Sequence, residues 1–141
     1  MSVPSPAWRV ELELDAGRPD PVGDAAHAAL LDRGLDRVPA VRSGRGYLLP
    51  GHLERPQVER IASELLADPV TETTRILAPG ETPEAGASTL VVRRLPGVAD
   101  PEADSTRNAL RLLDVALTES DPVQCYRTYR LEGAIDGEQL V

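Results

Sequence analysis

The sequence predicts an α+β chain built from two tandem βαββαβ units, the second incomplete, packed together as a pseudo-dimer. Three observations carry that prediction. Trp8, Val10, Leu12 and Leu14 alternate with charged residues. Asp-Pro pairs open helical patterns at 20–21 and again at 100–101. Matching residues recur at offsets of eighty and then eighty-two positions. The first unit is assigned to residues 7–77, a Pro/Gly linker to 78–87 and the second, truncated unit to 88–141. A single unit of this size buries a limited core and leaves sheet edges exposed, so joining two is a physical remedy.

The elements come in order along the chain. The alternation of Trp8, Val10, Leu12 and Leu14 with Arg9, Glu11, Glu13 and Asp15 is the period-two pattern of a strand with one buried face. At Asp20-Pro21 a carboxylate can cap a helix whose first position tolerates proline, because its missing N–H has no partner there anyway. Val22, Ala25, Ala26, Ala29 and Leu30 fall at helical spacing, and Gly34 is placed to end the helix in a left-handed cap. Residues 38–41 and 47–49 flank Arg42-Ser43-Gly44-Arg45-Gly46, which predicts two short strands joined by a glycine-containing turn. Pro56 opens a second helix, with Val58, Ile61, Ala62, Leu65 and Leu66 on one face, and Asp68-Pro69 stops it. The threonine-rich run 70–77 reads as a strand.

After the linker the pattern begins again. Residues 90–95 predict a strand and 96–99 a turn, and Asp100-Pro101 starts a helix in which Ala109 and Leu110 match Ala29 and Leu30, with Leu112 and Leu113 extending the apolar face. Two extra residues then intervene. Arg127, Tyr129, Leu131 and Gly133 fall on Arg45, Tyr47, Leu49 and Gly51, and Gln139-Leu140 on Gln57-Val58. The second unit therefore stops where its long helix should begin, and the cut surface predicts self-association or marginal stability.

Composition narrows function. The net charge is -8, so no basic surface serves a run of phosphates and nucleic acid is excluded as a partner. All fifteen positive residues are Arg, which excludes a P-loop lysine, a Schiff-base lysine and any lysine general base. The Arg, Ala, Leu, Val and Pro bias is what GC-rich coding produces and is given no functional meaning. Cys125 is the one cysteine, the N-terminus lacks a basic start and an apolar stretch, and no apolar run approaches the ~20 residues that span a bilayer. A cytoplasmic chain without a membrane partner is expected.

No catalytic, metal or cofactor-binding constellation is found. Cys125 lies in a predicted strand at 123–127, where a small packed thiol is the ordinary occupant. His27 and His52 have no ligand-spaced companions. Asp20 and Asp100 are explained by capping. Arg42, Arg45, Tyr47, Arg127, Tyr129 and Arg130 form the candidate interface, because Arg and Tyr are enriched where proteins meet and both sets recur in the two units. The alternative is a solvated strand face.

The runs Asp20-Pro21-Val22-Gly23, Val41-Arg42-Ser43-Gly44-Arg45-Gly46-Tyr47 and Ile61-Ala62-Ser63-Glu64-Leu65-Leu66-Ala67-Asp68-Pro69-Val70-Thr71-Glu72 resemble the PurS family of phosphoribosylformylglycinamidine synthase. The resemblance covers 7–77, and the second half resembles the same pattern more weakly. It implies the fused, two-copy N-terminal region of a large PurL-type synthetase, taking part in purine biosynthesis. Such a region organises the synthetase catalytic domains and a glutaminase domain or subunit so that ammonia passes between them. The parent enzyme would be an ATP-dependent carbon–nitrogen ligase with glutamine as amido donor. Its ATP and Mg²⁺ would be held elsewhere, with no catalytic residue in this chain. A second reading is a regulatory small-ligand-binding α+β module of a metabolic enzyme, with the turn at Gly97-Val98 as ligand site.

Overall fold

The alternation at the start of the chain builds the strand it predicts. A computed structural model describes residues 7–35, 37–81, 88–93, 99–118 and 121–131. Strand β1 (Ala7–Leu14) buries Trp8, Val10 and Leu12. Helix α1 (Pro21–Asp32) starts at the Asp20 cap, whose Oδ1 accepts the Gly23 N–H at 2.9 Å, and Gly34 comes after the helix at φ +86°. Only glycine takes that conformation without a steric cost. Strand β2 (Val41–Pro50) comes next, then helix α2 (Arg55–Ile61), which runs on into a wider π-type turn over Ala62–Leu66. Strand β3 (Glu72–Leu77), strand β4 (Ser88–Arg93), helix α3 (Pro101–Leu112) and strand β5 (Gln124–Leu131) follow in turn.

The fold is α+β, and the described residues form one five-stranded antiparallel sheet in the order β3-β1-β2-β5-β4. The first unit runs β-α-β-α-β and not β-α-β-β-α-β, because residues 41–50 form one continuous strand in place of the expected hairpin. The glycines do not turn the chain. A Cβ at Gly46 would lie 2.0 Å from Cζ of Tyr126, and one at Gly44 would lie 2.5 Å from Oγ1 of Thr128. They are present because β5 side chains pass flat across the strand at these points, a role glycine also has in sheets.

The central ladder pairs β2 with β5. Arg45 faces Arg127, Tyr47 faces Cys125 and Ser43 faces Tyr129, so the ladder is symmetric about the Arg45–Arg127 pair under the offset of eighty-two. Outside it, Val10 faces Tyr47 and Leu90 faces Tyr129, which sets β1 and β4 at an offset of eighty. The caps agree: Asp20 has φ -130° and ψ 80°, Asp100 has φ -127° and ψ 83°, and each opens a twelve-residue helix.

The helices lie on one face of the sheet. Val58, Ile61, Ala62 and Leu66 from α2 and its π turn, with Leu110 from α3, pack on Trp8, Val10, Leu12 and Leu49. The Trp8 indole N–H donates to the Leu53 carbonyl at 2.9 Å, satisfying its one polar atom. A second cluster joins Ala26 and Leu30 of α1 to Val38, Val41, Tyr129 and Leu131. The predicted α1 face is thus only partly used, since Val22, Ala25 and Ala29 are exposed and Gly23 is buried in their place. In α3, Leu110 is fully buried whereas Leu112 is 85% exposed, so Leu112 does not extend the core. The turn at 96–98, Gly133 and Gln139-Leu140 lie outside the described residues.

Candidate functional site

On the opposite face of the sheet no described helix packs, and the even-numbered residues of β2 and β5 meet the odd-numbered residues of β1. Glu11 stands at its centre, 9% exposed. Its carboxylate accepts from Arg9 at 2.8 Å, from Arg75 on β3 at 2.7 Å and from the Tyr126 hydroxyl on β5 at 2.8 Å. Tyr126 reaches Glu11 by lying across β2 at Gly46, and the guanidiniums of Arg9 and Arg93 stand 5.7 and 5.5 Å from its ring centroid. One row further on, Arg130 pairs with Glu13, donating from Nε at 3.2 Å and more closely from Nη2. Ion pairs therefore tie β3, β1 and β5 together across β2. Beside them lies a groove of about 560 Å³ with Glu11, Glu13, Arg75, Arg130 and Thr128 in its wall.

The electrostatics keep this face charged. Burial alone would push the Glu11 carboxyl up, but hydrogen bonds from Arg75 and Tyr126 and the charges of Arg9 and Arg75 hold it below the usual range. Burial, with the Glu11 carboxylate adding to it, pushes the Tyr126 phenol up to about 12, although its hydrogen bond with Arg9 opposes the rise. A carboxylate held ionised by three donors has no proton to give at neutral pH, so Glu11 is suited to structure and recognition and not to acid catalysis.

The Asp20 cap does more than its sequence position indicated. Its carboxylate also accepts from the Ser43 N–H and hydroxyl, each at 2.6 Å, fixing α1 to β2. Burial raises the Asp20 carboxyl and the hydrogen bonds from Ser43 and Gly23 outweigh it, leaving it below its ordinary value. Asp100 caps α3 through the Ala103 N–H at 3.1 Å.

The six candidate interface residues do not share one plane. Side chains alternate along a strand, so Arg42 and Arg130 fall on the ion-paired face and Arg45, Tyr47, Arg127 and Tyr129 on the helix-bearing face. The parity of the residue numbers carried that signal. Arg42 donates to the carbonyls of Leu14, Asp15 and Arg18 at 3.0, 3.2 and 3.1 Å and pins the loop after β1. Arg45 donates to the Leu66 carbonyl and to Glu72, both at 2.7 Å. Tyr129 packs in the α1 cluster. Arg45, Tyr47 and Arg127 do come together, in a groove of about 480 Å³ beside the start of α3 with Glu102, Ser105 and Thr106.

Other residues behave as packing. Cys125 is half-buried, with its sulfur 4.0 Å from Oγ1 of Thr106. His27 Nε2 lies 2.7 Å from the Val38 carbonyl, and His52 Nε2 lies 3.2 Å from Asp121. Among the described residues no three His, Cys, Asp or Glu gather as a metal site, and no described helix is long and apolar enough to cross a membrane. The ion-paired set of Glu11, Arg75 and Tyr126 was missed from sequence, because its members are 64 and 115 positions from Glu11.

These features define a class: an α+β protein whose antiparallel sheet carries its helices on one face and an interlocked, charged face on the other. The chain belongs to the PurS family, whose model, described as phosphoribosylformylglycinamidine (FGAM) synthase, matches residues 7–79. Membership gives it a role in purine biosynthesis through FGAM synthase. No curated protein and no solved structure matches the chain.

Proposed function

We propose that this chain is a non-catalytic assembly region of FGAM synthase, made of two PurS-like units. It would correspond to the N-terminal region of a PurL-type synthetase in the cytoplasm. Its work is to hold the synthetase catalytic domains and a glutaminase domain or subunit so that ammonia released from glutamine reaches the synthetase without loss to solvent. ATP and Mg²⁺ serve the catalytic domains, and this chain holds neither.

The observation that carries the reading is the ladder symmetry about Arg45 and Arg127. Offsets of eighty for β1 and β4 and eighty-two for β2 and β5 come from hydrogen-bond register alone, and they are the offsets at which the sequence repeats. Antiparallel pairing of equivalent strands is how two copies of one unit join about a two-fold axis. The family match lies over the first unit, and the second reproduces its β-α-β geometry. A charged face tied down by ion pairs is suited to docking, since prearranged charges fix register and exclude wrong partners.

The test is co-purification of the tagged chain with the synthetase catalytic domains and the glutaminase of the same organism. Retention of both on the tagged chain, weakened by a substitution at Arg130 on the charged face, is the expected result. Failure of the chain to retain either component overturns the reading.

A further inference from the structure

The two helices that follow an Asp-Pro cap are equivalent in backbone, but they differ in polarity at one place. At the offset of eighty, Val22, Ala25 and Ala26 of α1 stand where α3 has Glu102, Ser105 and Thr106. The α1 set is apolar. The α3 set lines the groove of about 480 Å³ that also holds Arg45, Tyr47 and Arg127.

Two guanidiniums border this groove, and neither is fully used. Arg45 and Arg127 stand directly opposite each other in the β2–β5 ladder, an arrangement in which like charges repel. Arg45 uses Nη2 alone, donating to the Leu66 carbonyl at the end of the π turn and to Glu72. Its Nη1 has no hydrogen-bond partner among the described residues, and its Nε is buried without one. A buried donor left unpaired is uncommon in a folded chain and calls for an account. Arg127 is exposed and makes no hydrogen bond or ion pair among the described residues. Glu102 shares the groove yet pairs with neither arginine. Thr106 is satisfied by the Glu102 carbonyl at 2.7 Å, whereas the Tyr47 and Ser105 hydroxyls make no hydrogen bond among the described residues.

We infer that this groove binds the oxyanion group, carboxylate or phosphate, of a small molecule, with Arg45 and Arg127 supplying the charge and Tyr47 and Ser105 supplying hydroxyl donors. The planar N–H fork of a guanidinium meets two oxygens at once in either group. The clamp of Nη2 on the π turn fixes Arg45 beside the groove in advance, so little order is lost when the anion arrives. An anion between the two arginines also removes their repulsion. The groove volume falls within the range of small-molecule sites, about 300–1,000 Å³. Glu102 acts against the anion and keeps its affinity below what two arginines alone would give. The site is built by this chain alone and does not depend on what the chain does within FGAM synthase.

The test is titration of the isotope-labelled chain with sodium phosphate and, separately, sodium succinate, at constant ionic strength set by sodium chloride, with backbone amides followed by NMR. Saturable shifts centred on Arg45, Tyr47, Thr106 and Arg127 are expected with at least one of the two, and the stronger response identifies the oxyanion the groove prefers. Arg127→Gln should weaken binding about tenfold or more. Arg127→Lys should weaken it less, because it keeps the charge and loses the fork. Glu102→Gln should strengthen it severalfold. Arg127 and Glu102 are exposed, so these variants are expected to keep the fold, and the dispersion of the amide spectrum checks each one. Shifts that do not saturate with either anion, saturable shifts confined to other parts of the chain, or an affinity unchanged in a folded Arg127→Gln would overturn the inference.

Discussion

Strands β1 and β4 occupy equivalent places in the two β-α-β halves, yet among the described residues one is a core strand and the other an edge. Both pair antiparallel with a strand that meets the other half at the Arg45–Arg127 pair. The difference lies in the elements that come after each half. Beyond β2 the chain supplies α2, the π turn and β3, which cover Val10 and Leu12 completely. No described element does this for Leu90 and Val92. Among the described residues the β-α-β parts thus carry the symmetry, while α2, its π turn and β3 build the main core over the first half.

The largest effect should come from equivalent truncations on the two strands. Leu12→Ala removes a fully buried side chain beneath α2 and is expected to cost about 2–5 kcal/mol in urea denaturation. Val92→Ala, at the same place in the second half, should change stability by no more than about 0.5 kcal/mol. Equal losses at the two sites would break the comparison.

The centre of the sheet gives a second test. Gly46→Val places side-chain atoms inside the volume of the Tyr126 ring, so either Tyr126 leaves Glu11 or the β2–β5 ladder opens. A loss of about 3 kcal/mol is expected, together with a shift of Tyr126 toward the ordinary tyrosine range in an absorbance titration. A stable variant with an unshifted Tyr126 would contradict the contact.

The two helix caps sharpen the comparison further. Asp20 is 3% exposed and ties α1 to Ser43 as well as to Gly23, whereas Asp100 is half-buried at the start of α3. Asp20→Ala should cost about 2 kcal/mol, and Asp100→Ala about 1 kcal/mol, when measured by chemical denaturation.

The smallest effects are those of pH. Glu11 and Asp20 both sit below their ordinary values of 4.5 and 3.8 in the folded chain. Each therefore contributes stability that is full above the unfolded value and is lost as pH falls through the folded one. Glu11→Gln should flatten the dependence of stability on pH below about 4.5. At the other end, Tyr126 is raised from 10.0 to about 12. Its contribution is complete below the unfolded value of 10.0 and disappears as pH rises through about 12. Tyr126→Phe should remove that alkaline slope.

Much of this arrangement was legible in sequence. The alternation at 8–15, the two Asp-Pro caps and the offsets of eighty and eighty-two are local or repeated patterns, and the ladder registers reproduce the offsets position by position. Gly44 and Gly46 misled, because a glycine that turns a chain and one that lets a neighbouring strand's side chain lie flat look alike until the neighbour is known. The candidate interface reads as one surface in sequence although strand parity divides it. Glu11 reads as a wet residue because alternation assigns a face without revealing that Arg75 and Tyr126 close over it. The missed features all depend on partners far along the chain.

In the proposed function the chain organises FGAM synthase and leaves the chemistry to the synthetase and glutaminase parts. The most direct measurement is activity of the synthetase and glutaminase parts with and without this chain, driven once by glutamine and once by free ammonia. The account predicts that the chain restores the glutamine-driven reaction and leaves the ammonia-driven reaction unchanged. Equal glutamine-driven rates with and without it, or an ammonia-driven rate that depends on it, would contradict the account.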